Sequence, residues 1–367
     1  MGQILSAPIT TKHSTEGKDE RLMYGASSMQ GWRISMEDAH THILQYKETG
    51  AAFFAVFDGH GGANVAKYSS EKLFENVLDS DDFKEGQIEN ALRKGFFKID
   101  SDLREDPFFK NETSGCTAIV ALLTKDNELY VSNAGDSRAI ICTQGLAIAL
   151  SEDHKPGNPK ETERITNAGG HVEFGRVNGN LALSRALGDF EFKGAKHLPA
   201  EEQAVTADPD ITVHKLTPKD EFMVLACDGI WDCLSNQQVA TFVRKHVTEG
   251  VPLKEICERL MDSCLAKETG SGGIGCDNMT VEIVAFLNGQ SSESWYEKIK
   301  STEPVPKANV PLPSNPSSQG DEPTNKKQRG MQSESRQYSV NELQNAPDLT
   351  ASLVDEEPKG EVKGGGA

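Results

Sequence analysis

Residues 51–62 read A-A-F-F-A-V-F-D-G-H-G-G, an apolar run that ends on a carboxylate and a glycine-rich turn. Seven consecutive apolar residues, three of them phenylalanines, predict a strand that is buried on both faces. A carboxylate at the end of such a strand loses its hydration, so Asp58 needs a partner that offsets this cost. A hard divalent cation is one such partner.

Three other segments place carboxylates in similar positions. Asp228 follows an apolar strand in A-C-D-G-I-W-D (226–232), Glu37 and Asp38 end R-I-S-M-E-D (33–38), and Asp277 precedes a strand in C-D-N-M-T (276–280). A single Asp-Gly pair is typical of a turn. Two such pairs that close buried strands, with the other acidic segments, supply enough oxygen atoms for two octahedral ions that keep several waters. Mg²⁺ and Mn²⁺ usually bind in this manner.

Composition excludes several classes of function. The 367-residue chain has a net charge of −18, and residues 1–290 carry −15 of it, which disfavours a nucleic acid as partner. The seven cysteines form no C-x-x-C pair, so they are interpreted as buried thiols of a reducing compartment, and a zinc or disulfide framework is not expected. Neither a secretory signal nor an apolar run of membrane-spanning length is found.

Short apolar runs and amphipathic stretches predict an α+β fold in which antiparallel sheets form a layered sandwich with helices packed outside. The predicted strands cover 51–57, 116–123, 129–132, 138–142, 221–227 and 279–287, and the predicted helices cover 63–77, 88–103, 236–247 and 253–266. Strands that follow one another as hairpins, and helices that come in pairs, argue against a regular βαβ alternation.

Three regions are predicted along the chain: an N-terminal segment (1–20), a folded domain (21–289) and a disordered, acidic, Pro- and Ser-rich tail (290–367). Eight of the sixteen prolines lie beyond residue 303, among polar residues without apolar periodicity. The N-terminus, M-G-Q-I-L-S, fits the pattern for myristoylation of Gly2. One acyl chain without a neighbouring basic cluster would give only weak, reversible membrane contact.

A known family shares this set of motifs. The chain resembles the metal-dependent PPM protein serine/threonine phosphatases of type 2C, and in particular the yeast-type members, over residues 24–287. The motifs that carry the resemblance, in order along the chain, are R-x-x-M-E-D (33–38), F-D-G-H-G-G (57–62), S-G-C-T-A (114–118), N-A-G-D-S-R (133–138), L-A-L-S-R-A-L-G-D (181–189), A-C-D-G-I-W-D (226–232) and D-N-M-T (277–280).

The resemblance implies a four-layer sandwich, with two antiparallel sheets flanked by helices and a two-metal site in a cleft at one end. By motif position, Asp58 bridges the two Mg²⁺ or Mn²⁺ ions, and the carbonyl of Gly59 adds a ligand. Asp38 acts through a coordinated water, and Asp136 helps form a weaker third site. The remaining expected carboxylate ligands are Glu37, Asp228 and Asp277. No acidic motif position departs from the family pattern.

The expected reaction is attack of a metal-bridging hydroxide on phosphorus, because two nearby cations lower the pKa of a bridging water and stabilise both oxygens of an in-line displacement. Arg33 fits the phosphate-binding arginine of the family. His60 is expected to protonate the leaving alkoxide, and the alternatives are a metal ligand or a hydrogen-bonded strand-end histidine. Arg185 and Asp189 are expected to pair with each other, and Arg176 lies in a segment (171–178) that resembles a substrate-contacting flap.

We therefore expect a monomeric protein phosphatase whose partners are phosphorylated proteins. By the resemblance these are kinases of stress or cell-cycle signalling in the cytoplasm and nucleus, with a possible membrane-associated fraction through Gly2. A rival enzyme class, a two-metal phosphodiesterase or nuclease, is disfavoured by the acidic body. A rival of another class is a catalytically silent phosphoprotein-binding adaptor of the same fold, which would bind substrate without releasing phosphate.

Overall fold

The computed structural model describes residues 4–269 and 273–304. Its strands are β1 (Ile4–Lys18), β2 (Leu22–Arg33), β3 (Ala39–Tyr46), β4 (Ala51–Phe57), β5 (Gly59–His60), β6 (Gly115–Cys116), β7 (Ala118–Leu123), β8 (Glu128–Ala134), β9 (Arg138–Thr143), β10 (Leu146–Ala149), β11 (Val172–Glu173), β12 (Arg176–Val177), β13 (Leu187–Gly188), β14 (Asp210–Lys215), β15 (Asp220–Ala226) and β16 (Met279–Phe286). Six of them correspond to the six predicted strands, and no strand end differs from its prediction by more than two residues.

Helices account for most of the remaining regular structure. They are α1 (Asn64–Leu78), α2 (Asp81–Lys84), α3 (Ile88–Glu105), α4 (Pro159–Asn167), α5 (Asp228–Trp231), α6 (Asn236–Thr248), α7 (Leu253–Cys264) and α8 (Ser292–Ser301). Helix α6 begins with a capping box, in which Ser235 and Gln238 each bond to the other's backbone N–H. The four predicted helices correspond to α1, α3, α6 and α7.

Two antiparallel sheets form the centre of the fold. The first has strand order β1-β2-β16-β15-β9-β10, and the second has order β14-β8-β7-β4-β3. Strands β4, β7, β15 and β16 are buried along their whole length, because each face of these strands packs against another layer. Three short strands, β13-β6-β5, form a small sheet next to the end of β4.

Three apolar cores separate the layers. One lies between the two sheets and includes Phe54 and Met223. A second packs α6, α7 and α8 against the outer face of the first sheet, and a third packs α1 and α3 against the outer face of the second. The result is the predicted four-layer α+β sandwich, with helices outside two antiparallel sheets.

Two predicted boundaries are corrected by the structure. Residues 4–18, assigned to an N-terminal segment, form the edge strand β1 and pair with β2. The predicted tail begins at residue 290, yet residues 292–301 form α8, because the side chains of Trp295 and Ile299 are buried against the first sheet's helical layer. Gly2, with its predicted acylation, and residues 305–367 lie outside the described residues. None of the described helices combines the length and apolar character needed to cross a bilayer.

Candidate metal centre

The structure brings the predicted site residues together around one cleft of about 470 Å³. The carboxylates come from segments that are far apart in the sequence, and each lies at or near the end of a strand. The predicted residues that line the cleft are Arg33, Glu37, Asp58, Gly59, His60, Asp136, Arg176, Asp228 and Asp277. The cleft therefore lies where both central sheets and the small sheet end.

Asp58 follows β4 directly and is held by the neighbouring strand. Its backbone N–H donates to Thr117 Oγ1 (3.1 Å), and its carbonyl accepts from the Thr117 N–H (2.9 Å). Burial, followed by the charges of Asp228 and Asp38, raises the pKa of Asp58 well above its usual range. Burial and the charge of Asp136 do the same to the pKa of Asp228. The cleft thus holds carboxylates that repel one another.

Gly59 is required for the approach of the segment that carries Glu37. A Cβ at position 59 would lie 2.3 Å from the carbonyl oxygen of Glu37, a contact that real Cβ atoms do not make. The Glu37 carboxylate is fixed by a hydroxyl and a backbone group: Ser35 Oγ donates to Oε1 (2.7 Å), and the Gly62 N–H donates to Oε2 (3.0 Å). The glycine therefore allows β5 and the Glu37 segment to meet.

Asn278, which belongs to the motif at 277–280, supports the site through bonds that the motif analysis did not predict. Its Oδ1 accepts from the backbone N–H of Glu37 (2.9 Å), and its Nδ2 donates to the carbonyls of Gln30 (2.8 Å) and Ser35 (3.0 Å). These bonds tie the loop between β2 and β3 to the start of β16. The Asp-Asn pair at 277–278 was visible in the sequence, but its three-way bonding depends on tertiary contacts.

Asp38 lies behind the cleft rather than on its lining. Thr280 Oγ1 donates to Oδ2 of Asp38 (2.7 Å), whereas the buried Oδ1 has no hydrogen-bond partner among the described residues. Burial raises the pKa of Asp38 to about 7. One Asp38 oxygen lies within 4.8 Å of ligand atoms of Asp58 and Cys227. An unpartnered oxygen beside crowded carboxylates is expected where a cation or its water binds.

The donor set fits hard divalent ions. Carboxylates make up most of the potential ligands that line the cleft, and with the Gly59 carbonyl they offer oxygen atoms that suit Mg²⁺ and Mn²⁺. Two of the carboxylates are already matched by cationic side chains, since Arg33 Nη2 lies 2.5 Å from Asp277 Oδ2 and Lys155 pairs with Asp136. The Lys155 pair was not foreseen, and a third ion at Asp136 would have to displace it.

His60 is paired with a residue that the sequence had assigned elsewhere. His60 Nε2 lies 2.7 Å from Asp189 Oδ2. Burial lowers the pKa of His60, but the charge and hydrogen bond of Asp189 outweigh it, so the pKa is raised above the usual 6.5. Asp189 follows Gly188 as Asp136 follows Gly135, and this repeated Gly-Asp pattern was the available signal.

The predicted ion pair between Arg185 and Asp189 is wrong. Arg185 instead pairs with Glu161 of α4 (2.8 Å) and with Asp210 at the start of β14 (2.8 Å). The reason is that Asp189 has a left-handed backbone, with φ of 51°, after the Gly188 turn, and its carboxylate lies next to His60. Arg185 therefore joins elements beside the cleft, and Asp189 belongs to the site.

The predicted flap forms a small hairpin of β11 and β12. Arg176 begins β12 and lines the cleft, and its Nη1 donates to the carbonyl of Asn180 (2.6 Å). Phe174, in the turn of the hairpin, is 92% exposed. The hairpin therefore presents an arginine to the cleft and an apolar side chain to solvent.

Comparison with known proteins gives consistent matches. A sequence model described as Protein phosphatase 2C matches residues 22–272. The chain is 52% identical over 308 residues to Protein phosphatase 2C homolog 2 of Hypocrea jecorina, covering 82% of this chain and 70% of that protein. It is 53% identical over 303 residues to Protein phosphatase 2C homolog 3 of Schizosaccharomyces pombe, covering 82% and 73%. A phosphatase crystal structure from a pathogenic strain of Toxoplasma gondii aligns with a TM-score of 0.67 at 25% identity, over 77% of this chain and 97% of that one.

Proposed function

Because the chain belongs to the protein phosphatase 2C family, we propose that its acidic cleft is the active site at which proteins lose phosphate from serine and threonine. Membership makes the protein a metal-dependent serine/threonine phosphatase. The observation that carries the assignment of the cleft is the convergence of Glu37, Asp58, Asp228 and Asp277 there. The adaptor alternative is not favoured, since no acidic motif position is lost and the relatives bear the name of phosphatases.

The metal ligands are proposed from the donor set. Glu37, Asp58, Asp228 and Asp277, with the Gly59 carbonyl, would hold two Mg²⁺ or Mn²⁺ ions, and Asp38 would bind a coordinated water through its unpartnered oxygen. Asp136 would contribute to a weaker third ion in exchange for its bond to Lys155. When bound, such ions lower the pKa of water toward neutrality and neutralise charge on the phosphoryl oxygens.

Arg33 is proposed to bind and orient the phosphate. Its side chain is 40% exposed, and its guanidinium already has one carboxylate partner in Asp277. A guanidinium has further N–H donors in a fixed plane, so it can bind phosphate oxygens while keeping that partner. Arg176, on the hairpin across the lining, is proposed to contact the substrate protein.

His60 is proposed as the general acid for the leaving serine or threonine oxygen. It lines the cleft, and Asp189 holds its Nε2, which fixes the ring and favours the protonated form. A protonated imidazole can give a proton from Nδ1 to a departing alkoxide. Two alternatives remain for His60: a structural histidine at the end of β5 that is held by Asp189, and direct metal ligation through Nδ1, which would require a neutral ring.

The test is phosphate release from a phosphothreonine peptide after chelation and titration with Mg²⁺ or Mn²⁺. Asp58→Asn and Asp228→Asn should abolish metal-dependent release, because each removes a ligand charge from the cleft. Asp81→Asn is the matched control, since Asp81 is 93% exposed at the start of α2. A folded wild-type protein that binds the peptide but releases no phosphate at any metal concentration would instead support the adaptor.

His60→Gln tests the acid separately. Its rate should fall about 10²- to 10⁴-fold on the phosphothreonine peptide and much less on an aryl phosphate, whose leaving group needs no proton. An equal fall on both substrates, in a variant with unchanged metal affinity, would contradict the general-acid role.

The substrates, cellular location, oligomeric state and membrane contact are proposed from the family resemblance. We propose phosphorylated kinases of stress or cell-cycle signalling as clients in cytoplasm and nucleus, a monomeric state, and weak membrane contact through an acylated Gly2. Activation-loop phosphothreonines should accumulate in cells that carry Asp58→Asn in place of the wild type. Intact mass of the protein from a eukaryotic host tests the acylation, because an unmodified N-terminus would remove it.

A further inference from the structure

A second cluster of potential ligands lies between the two sheets, away from the cleft lining. His40 and His42 are two residues apart on β3 and so share one face of the strand. Glu282, in β16 of the other sheet, faces them. One ligand atom from each of the three residues lies within 4.8 Å of the other two. Two imidazoles and one carboxylate therefore meet at the seam between β3 and β16.

The Glu282 carboxylate is buried, and few polar groups offset its loss of hydration. It is 0% exposed, and neither of its oxygens has a hydrogen-bond partner among the described residues. The nearest basic side chain is His42, whose Nδ1 lies 3.4 Å from Oε1 without hydrogen-bond geometry. Burial raises the pKa of Glu282 to about 7. Buried carboxylates usually accept hydrogen bonds or bind a metal, and the only nearby partner of Glu282 is the His42 contact, so a bound cation would complete its surroundings.

The two histidines are arranged as metal ligands usually are, with rings that are held by neighbouring side chains. Their rings are stacked with centroids 5.4 Å apart, and His42 also packs on Tyr24 with centroids 4.7 Å apart. His42 Nε2 lies 3.4 Å from Thr15 Oγ1, which can fix the ring while Nδ1 faces Glu282. Both side chains are half-buried, so an ion could enter from the edge of the sandwich.

We propose that His40, His42 and Glu282 form a second metal site, selective for Zn²⁺ and chemically distinct from the acidic cleft. Imidazole nitrogens suit Zn²⁺, whereas the carboxylate-rich cleft suits Mg²⁺ and Mn²⁺. Three protein ligands leave a fourth tetrahedral position for water from the open edge. The ion would neutralise Glu282 and tie β3, the edge of one sheet, to β16 in the middle of the other.

The site is adjacent to the catalytic machinery along the same two strands. Asp38 lies two residues before His40, and its partner Thr280 lies two residues before Glu282. Two residues of strand correspond to roughly 7 Å. An ion at this seam would therefore restrain the strand that leads out of Asp38, without contributing a ligand to the cleft.

The experiment measures Zn²⁺ binding to the full chain in a large excess of Mg²⁺, which occupies the cleft. Wild type should retain one Zn²⁺ per chain after gel filtration, and its X-ray absorption spectrum should show imidazole scattering. His42→Ala and Glu282→Gln should bind Zn²⁺ at least tenfold more weakly and lose that signature. His197→Ala, which removes an exposed loop histidine, should behave as wild type.

Thermal unfolding provides a second measurement of Zn²⁺ binding. Zn²⁺ should raise the melting temperature of wild type but not of Glu282→Gln. That variant replaces a buried carboxylate that accepts no hydrogen bond, so it is expected to fold. His40→Ala is a second ligand variant in case His42→Ala does not fold. Retention of the same Zn²⁺ and imidazole scattering in folded ligand variants, or no Zn²⁺ retained by wild type, would overturn the proposal.

Discussion

Asp189 shows how one residue can determine the chemistry of its neighbour. Its left-handed backbone follows the turn at Gly188, and its carboxylate, almost fully buried, faces His60. A buried carboxylate close to an imidazole stabilises the protonated ring, which explains why the pKa of His60 is raised in spite of its burial. Asp189 is thus a positioning residue, since it acts through His60.

Asp189→Asn should lower the pKa of His60, because it removes the charge that outweighs burial. The fraction of protonated His60 then falls at any pH above that lower pKa. We expect the alkaline limb of the pH–rate profile on a phosphothreonine peptide to move to lower pH, with little movement on an aryl phosphate. If both profiles kept the wild-type limb, Asp189 would have only a structural role.

Glu161 is a second residue whose charge depends on its surroundings. Burial alone would raise its pKa, but bonds and charges of Arg185 and Arg164, with Ser184, lower the pKa to about 2. Because this pKa is lower in the folded than in the unfolded chain, the charge stabilises the fold above about pH 4.5. That stability is lost as the pH falls toward 2.

Glu161→Gln should therefore destabilise the protein by about 3 kcal/mol at pH 7, because two arginines lose a buried partner. The difference in unfolding free energy from wild type should shrink as the pH falls from 5 to 3. Glu163→Gln, on the exposed face of α4, is the control. Urea unfolding at both pH values measures the effect, and a difference independent of pH would contradict the ion-pair account.

Among the secondary-structure elements, the sequence predicted the strands that are buried on both faces. Strands such as β4 and β15 are continuous apolar runs, and the carboxylates that follow them marked the site. Strand β1 was missed because it is a mostly exposed edge strand without an apolar alternation. Helix α8 buries only Trp295 and Ile299, and two residues spaced i, i+4 are a weak helical signal.

Supporting contacts of the site were less predictable than its ligands for a similar reason. Asn278, Lys155 and Asp189 act on residues that are 19 to 248 positions away in the sequence. Such partners depend on how strands pair across the sandwich, so a local motif such as Gly188-Asp189 can mark a residue but cannot identify its partner. The ligands themselves lie in short motifs beside strands, where local pattern suffices.

Helix α8 is expected to stabilise the folded domain and not to act as part of a solvated tail. Trp295 is 1% exposed, and its Nε1 donates to the carbonyl of Glu221 in β15 (3.0 Å). Trp295→Ala should cost about 3 to 5 kcal/mol of unfolding free energy. Glu297→Ala, at an exposed position of the same helix, should be close to neutral. Equal, small losses in chemical denaturation would restore the predicted boundary at residue 290.

The fold as a whole brings several carboxylates of like charge close together, and in the metal-free protein no metal ion offsets their repulsion. Asp38, Asp58 and Asp228 reach the cleft region from three different segments of the fold, and all three have raised pKa values because burial and neighbouring carboxylates disfavour their charged forms. The fold thus holds these groups in place at a cost to its own stability, and a bound divalent cation offsets that cost.

This leads to a prediction in which stability and activity change in opposite directions. Asp58→Asn should raise the melting temperature of the metal-free protein by roughly 2 to 4 °C, the shift expected for about 1 kcal/mol in a domain of this size. The same change should remove most of the increase that Mg²⁺ gives to wild type, together with phosphatase activity. Asp81→Asn should alter neither value. Differential scanning fluorimetry with chelator and with a Mg²⁺ series decides the outcome. If metal-free Asp58→Asn protein melts below wild type, Asp58 stabilises the fold through other contacts. Repulsion by its charge would then not be the cost that a bound metal offsets.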